Sequence, residues 1–167
     1  MTTRRQFFCI VGATFGLSPV VGWLAGPGGI ANQMTDEKYP VQKTDEEWHA
    51  ALSPQQYHVL REHGTERAFT SPLNEEKRPG TFVCAACGQP LFASDTKFES
   101  GTGWPSFFQP LEGAVGTKSD RSWFMVRTEV HCSRCGGHLG HVFEDGPQPT
   151  GERYCMNGIA MKFEPKT

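Results

Sequence analysis

Four of the six cysteines fall into two tight pairs, Cys84-Ala85-Ala86-Cys87 and Cys132-Ser133-Arg134-Cys135, while Cys155 and Cys9 stand alone. A CxxC pair puts two thiolates in one turn. Two such turns brought together offer four sulfurs in a tetrahedron, the coordination of a structural zinc ion, with no position left open for chemistry. Gly88 follows the first pair and Gly136-Gly137 the second, giving the backbone room to turn around a metal. The 44 residues between Cys87 and Cys132 exceed the spacing of a simple zinc ribbon, so a run of strands must be inserted between the knuckles. Two disulfides are the alternative, disfavoured because closing so short a loop strains the bond. A thioredoxin-type redox pair would open a helix, and neither pair is followed by a helical pattern.

Cys155 lies in Gly151-Glu152-Arg153-Tyr154-Cys155-Met156-Asn157, and in a strand Arg153, Cys155 and Asn157 would share one face. A guanidinium beside a thiol favours the nucleophilic thiolate, and Asn157 can donate a hydrogen bond. Gly136-Gly137-His138-Leu139-Gly140-His141-Val142-Phe143 offers two imidazoles, either of which could pass a proton to a substrate oxygen. Gly101-Thr102-Gly103-Trp104-Pro105-Ser106-Phe107 presents an indole on a glycine-rich turn, where the ring can pack against a methyl group.

Short elements must position these groups. Thr44-Asp45-Glu46-Glu47 and Ser53-Pro54-Gln55-Gln56 have the form of helix-starting capping boxes; Trp48, Ala51 and Leu52 then share a face, Tyr57 and Leu60 follow, and Gly64 can end the second helix. From Thr81 onward β-prone runs take over, at residues 81–84, 91–93, 123–130, 138–143 and 159–163. Glycine, proline and aspartate fill the gaps. Runs so short and so closely spaced fit antiparallel sheets, since parallel strands would need longer crossovers. The fold class is therefore mainly β, two antiparallel sheets with short N-terminal helices and a structural zinc site of four cysteines.

The 167 residues suffice for one domain plus an extra segment, and 16 basic against 18 acidic side chains predict no nucleic-acid partner. The extra segment is the N-terminus. Arg4-Arg5 precede an apolar stretch from Cys9 to Ala25 whose glycines and Pro19 make it weak as a permanent membrane span, a pattern resembling a twin-arginine export signal. Residues 1–30 read as that signal, 31–40 as a linker and 41–167 as the working domain. An ordinary secretory signal or an N-terminal anchor is the alternative. In each case the domain is expected outside the cytoplasm, in the periplasm or cell envelope, touching membrane only through a retained signal segment.

The run Glu76–Cys84, the run Ser100–Phe107, His138–Phe143 and Arg153–Asn157 together resemble the signatures of the methionine-R-sulfoxide reductase family, a match running from about Thr44 to Glu164. The resemblance implies a β-tent fold, zinc on Cys84, Cys87, Cys132 and Cys135, and Cys155 as nucleophile toward the sulfoxide sulfur. It implies further that His141, Asn157, His138 and Arg153 orient and polarise the site, and that Trp104 and Phe143 hold the substrate. The nucleophile would end as a sulfenic acid. Many members resolve that acid with a second cysteine in the Gly-Trp-Pro segment, where this chain has Thr102. With Cys9 expected to leave with the signal, an external thiol, most simply a thioredoxin-like partner, is expected to reduce Cys155. Met156, Gly158 and Trp123-Phe124 also depart from the pattern and are expected to reshape the pocket. Oxidised proteins are the expected substrate and a monomer the expected state. Two other readings fit parts of the pattern: a noncatalytic zinc-ribbon-like binding module, which has no need of Cys155, and a reductase of another oxidised sulfur.

Overall fold

The computed structural model describes residues 39–122 and 125–167. The export signal and nearly all of the linker expected from the sequence lie outside the described residues, as do Trp123 and Phe124. Two helices open the domain, α1 (Asp45–Ala51) and α2 (Pro54–Glu62). Each starts at a reciprocal capping box: Thr44 Oγ1 accepts from the Glu47 amide while the Thr44 amide donates to Glu47 Oε2, and Ser53 and Gln56 repeat the exchange. These bonds satisfy amides that a helix start leaves without partners. Trp48, Leu52, Tyr57, Val59 and Leu60 are buried, whereas Ala51 faces solvent. The end of α2 differs from expectation. His63, not Gly64, takes the left-handed conformation (φ 57°), and Gly64 is needed for space, since a Cβ there would fall 2.4 Å from the His58 ring.

Among the described residues nine strands follow, all paired antiparallel. They are β1 (Gly80–Cys84), β2 (Pro90–Ala93), β3 (Lys97–Phe98), β4 (Ser106–Phe107), β5 (Val115–Asp120), β6 (Arg127–Cys132), β7 (His138–Phe143), β8 (Arg153–Met156) and β9 (Met161–Pro165). One sheet has the order β2-β1-β9 and the other β3-β4-β8-β7-β6-β5. The expected two-sheet, mainly β architecture is what the chain forms. Two strands are shifted. The run expected at 123–130 pairs only from Arg127, opposite Asp120, to Cys132, because Met125 and Val126 are left exposed in the connection. The run expected at 159–163 begins as a 3-10 turn (Gly158–Ala160), and pairing with β1 starts at Met161 opposite Cys84.

The core lies between the sheets. Phe92 of β2 stacks on Phe107 of β4 with ring centres 4.3 Å apart, and Phe82 of β1 meets Phe107 edge-on at 4.9 Å. Val130, Met156 and Phe107 are wholly buried, which sends alternate residues of β6, β8 and β4 toward the opposite, polar face of the sheet. Among the described residues no helix is long and apolar enough to cross a membrane.

Candidate active site and metal centre

Cys84 ends β1 and Cys132 ends β6, so each CxxC pair closes a strand of a different sheet. The two turns are built alike. Gly88 (φ 71°) and Gly136 (φ 69°) adopt the left-handed backbone that glycine tolerates, and their amides donate to Cys84 O and Cys132 O, each at 2.9 Å. Cys84 N donates to Gln89 O and Cys132 N to Gly137 O, completing both loops. The four sulfur atoms all lie within 4.8 Å of one another. Cys84 and Cys135 are 3.8 Å apart and Cys87 and Cys132 are 3.6 Å apart. Thiolates about 2.3 Å from a central ion in tetrahedral array are separated by roughly 3.8 Å, whereas disulfide sulfurs lie about 2.05 Å apart. The cluster therefore has the dimensions of a metal site, and all four cysteines are unbridged. With no metal between them, contacts among the sulfurs, ahead of burial, would push Cys84 and Cys135 up and Cys87 and Cys132 down. A dication shared by four ligands would replace that split by deprotonating every one.

Cys155 sits in β8, near the middle of the six-stranded sheet, directly opposite His141 of β7 and Ser106 of β4. Residues so paired project on the same face, and the row continues from His141 to Glu129 of β6 and Lys118 of β5. Gly140 permits the close approach of β7 and β8, since a Cβ there would fall 2.1 Å from Cys155 O. The thiol opens into a cavity of about 110 Å³ lined by Thr65, Trp104, Arg127, Gly140, His141, Phe143, Cys155 and Asn157. Of the residues that sequence reasoning put at the site, Cys155, His141, Asn157, Trp104 and Phe143 meet there; His138 and Arg153 do not line the cavity.

The side chains around the thiol are held by partners that no local motif reveals. His141 Nε2 lies 2.9 Å from Asp120 Oδ2. Hydrogen bonds from Ser122, helped by His141 and Arg127, hold the Asp120 carboxyl well below its usual range, so it is ionised and only accepts. Nε2 therefore carries a proton, and Nδ1 is the other, accepting nitrogen of the neutral ring. Burial lowers the pKa of His141, outweighing the Asp120 bond that raises it. Asn157 lies one residue beyond β8 and is buried; its Oδ1 accepts from Glu66 N (2.8 Å) and its Nδ2 donates to Leu139 O (3.0 Å). Trp104 Nε1 donates to Glu66 O at 2.9 Å, so one residue of the 65–70 segment fixes both the amide and the indole.

His138 is almost fully buried and donates from Nδ1 to Glu129 Oε1 at 2.9 Å, with its ring edge-on to His141 at 5.4 Å. Glu129 also meets His63 (3.2 Å) and Lys118 (3.5 Å). Burial alone would raise its carboxyl, but the bonds from His138 and His63 carry it well below the usual range. Arg153 is forked onto Asp145 at 2.8 and 2.9 Å and stacks on Phe143 at 4.4 Å. Its pKa is raised, first by Asp145 and with a smaller contribution from Cys155. Thr102 Oγ1 stands 3.8 Å from Cys155 Sγ and is joined through Ser100 to the buried Ser106 hydroxyl. Among the described residues Cys155 has no thiol partner, since the other four cysteines belong to the cluster. Of the remaining departures from the family pattern, Met156 points into the core and Gly158 packs under Ser71, leaving no room for a side chain.

The chain that forms this two-sheet fold, with its cluster of four cysteines and its lone thiol in a small cavity, matches a known family in sequence. The SelR domain pattern matches residues 52–165, and the chain belongs to that family. It is 58% identical over 127 residues to a protein of Leptospira interrogans named peptide methionine sulfoxide reductase MsrB, covering 75% of this chain and 97% of the relative. A protein of the same name from Agrobacterium fabrum is 58% identical over 134 residues, covering 79% and 99%. A third, from Methanosarcina barkeri, is 60% identical over 125 residues, covering 74% and 88%.

Proposed function

We propose that this chain reduces the R epimer of methionine sulfoxide in proteins, with Cys155 as the nucleophile. The observation that carries the reading is the Cys155 thiol at the floor of a cavity of about 110 Å³ between Trp104, Phe143 and His141. Its walls provide an aromatic seat for the substrate methyl and polar groups for the sulfoxide oxygen. His141, its Nε2 proton committed to Asp120, accepts the thiol proton at Nδ1. The thiolate attacks the sulfoxide sulfur, His141 returns the proton to the oxygen, and methionine departs, leaving the oxygen on Cys155 as a sulfenic acid. The sulfur of the substrate gains the two electrons that Cys155 loses. Asn157 and Trp104 are fixed by Glu66, and His138 and Arg153 act as positioning residues through His141 and Phe143.

An external dithiol of the thioredoxin-like class then attacks the sulfenic sulfur, expelling water, and its second thiol frees Cys155 as reductant disulfide forms. Cys84, Cys87, Cys132 and Cys135 would hold one zinc ion, whose role is structural because all its ligands come from the protein. Residues 41–167 act as the monomeric domain, carried to the periplasm or cell envelope by the signal in residues 1–30.

The test is reduction of peptides carrying each sulfoxide epimer by the protein and by C155S. The R peptide alone should be converted, and C155S should lose at least about 10³-fold of the rate. Turnover of both epimers alike, or retained activity in C155S, would contradict the proposal.

A further inference from the structure

Phe69 combines two features that folding gives no reason to keep together. Its backbone is left-handed (φ 65°), a conformation that bulky side chains disfavour, and the side chain is 75% exposed. The segment that bears it is nonetheless tied to the catalytic turn. Phe69 N donates to Gly103 O at 2.8 Å, Asn74 Nδ2 donates to the same oxygen at 3.1 Å, and Trp104 Nε1 donates to Glu66 O. The ring touches Gly103, where a Cβ would come within 2.8 Å of Phe69 Cδ2, and otherwise faces water.

Phe69 borders a cleft of about 260 Å³ that contains Lys97, Ser100, Gly101 and Trp104, and Trp104 is also a wall of the Cys155 cavity. The two spaces thus adjoin across one indole, which is a wall of each. The Cys155 cavity, about 110 Å³, has room for a methionine sulfoxide side chain and not for the polypeptide that carries it. Flanking residues must lie on the rim. We infer that the cleft is a subsite for an extended segment of oxidised polypeptide, in which Phe69 receives an apolar side chain next to the sulfoxide. This rests on the reading of the Cys155 cavity as the sulfoxide site. The mixed lining suits the occupant, because a peptide backbone brings polar groups to the cleft while Phe69 covers its apolar neighbour. The preferred substrate is then an extended stretch with an apolar residue beside the oxidised methionine.

The test uses the full chain, F69N and F69L, with two peptides that carry the same R-sulfoxide between apolar residues or between glycines. Asparagine tolerates the left-handed backbone without offering an apolar surface, and leucine keeps the apolar surface. The ratio of kcat/KM for the apolar-flanked over the glycine-flanked peptide should fall about tenfold in F69N, through KM, and be largely kept in F69L. An unchanged ratio in F69N would overturn the subsite. So would an equal loss on both peptides, which would make the ring only a prop for the Gly103-Trp104 turn. A large fall in the thermal midpoint of F69N would likewise overturn it, since the ring would then serve the fold of this chain rather than a substrate. If the unaltered protein reduces neither peptide, the reading of the Cys155 cavity itself fails.

Discussion

At the scale of residues, the site depends on groups that control other groups. Cys155, His141 and Asn157 were legible in the sequence because their types and spacing suit thiol chemistry. Asp120, Glu66, Glu129 and Asp145 were not, since each reaches its partner through the tertiary fold from 8 to 91 residues away along the chain. Asp120 has the most direct consequence. It fixes the His141 tautomer, and its bond raises the His141 pKa against a larger effect of burial that lowers it. A ring that must begin neutral to take the thiol proton works above its pKa and fails below it. The rate of methionine formation in a single turnover should therefore hold as pH falls through the ordinary histidine value near about 6.5 and drop only at more acid pH. In D120N the acid limb should move further down, because the raising bond is lost, and the plateau should fall by roughly tenfold or more as the tautomer is released. A limb that stays in place or moves up in D120N would remove His141 from the proton path.

At the scale of elements, the legible features were those with strong local causes. Both capping boxes form, since the bonds that start a helix lie within four consecutive residues. The strand His138–Phe143 falls where its apolar and glycine pattern put it. Strand β5 was missed because Val115-Gly116-Thr117-Lys118-Ser119-Asp120 is a largely exposed edge strand with little apolar alternation. Its charged residues, Lys118 and Asp120, stand two apart and so share the face that carries the site. The paired turns after β1 and β6 were legible because CxxC followed by glycine dictates their geometry. Their consequence is mechanical: a metal held by Cys84, Cys87, Cys132 and Cys135 would clamp the end of one sheet to the end of the other. C87S, or exposure to a strong chelator, should lower the thermal midpoint by roughly 10 °C or more and release one zinc per chain. Activity should persist below the new midpoint and be lost with the fold. A chelated protein that keeps its midpoint would show that the clamp is dispensable.

At the scale of the whole molecule, two stacked sheets divide the work between them. The three-stranded sheet supplies one of the paired cysteine turns and the aromatic layer of Phe82 and Phe92, and the six-stranded sheet supplies the other turn and a polar face. Cys155 stands on that face with His141 on one side and Ser106 on the other, and with Thr102 where a resolving thiol would act. On the proposed mechanism, this arrangement of the described residues leaves Cys155 as the single reacting thiol, to be reduced from outside the chain. The measurement that tests this most directly is a single turnover of the zinc-loaded protein on an R-sulfoxide peptide without reductant, followed by intact mass and thiol counting. The account predicts one methionine per chain, the loss of one thiol and a trappable sulfenic acid on Cys155. A disulfide between Cys155 and another cysteine of the chain, or methionine formed with every thiol intact, would contradict it.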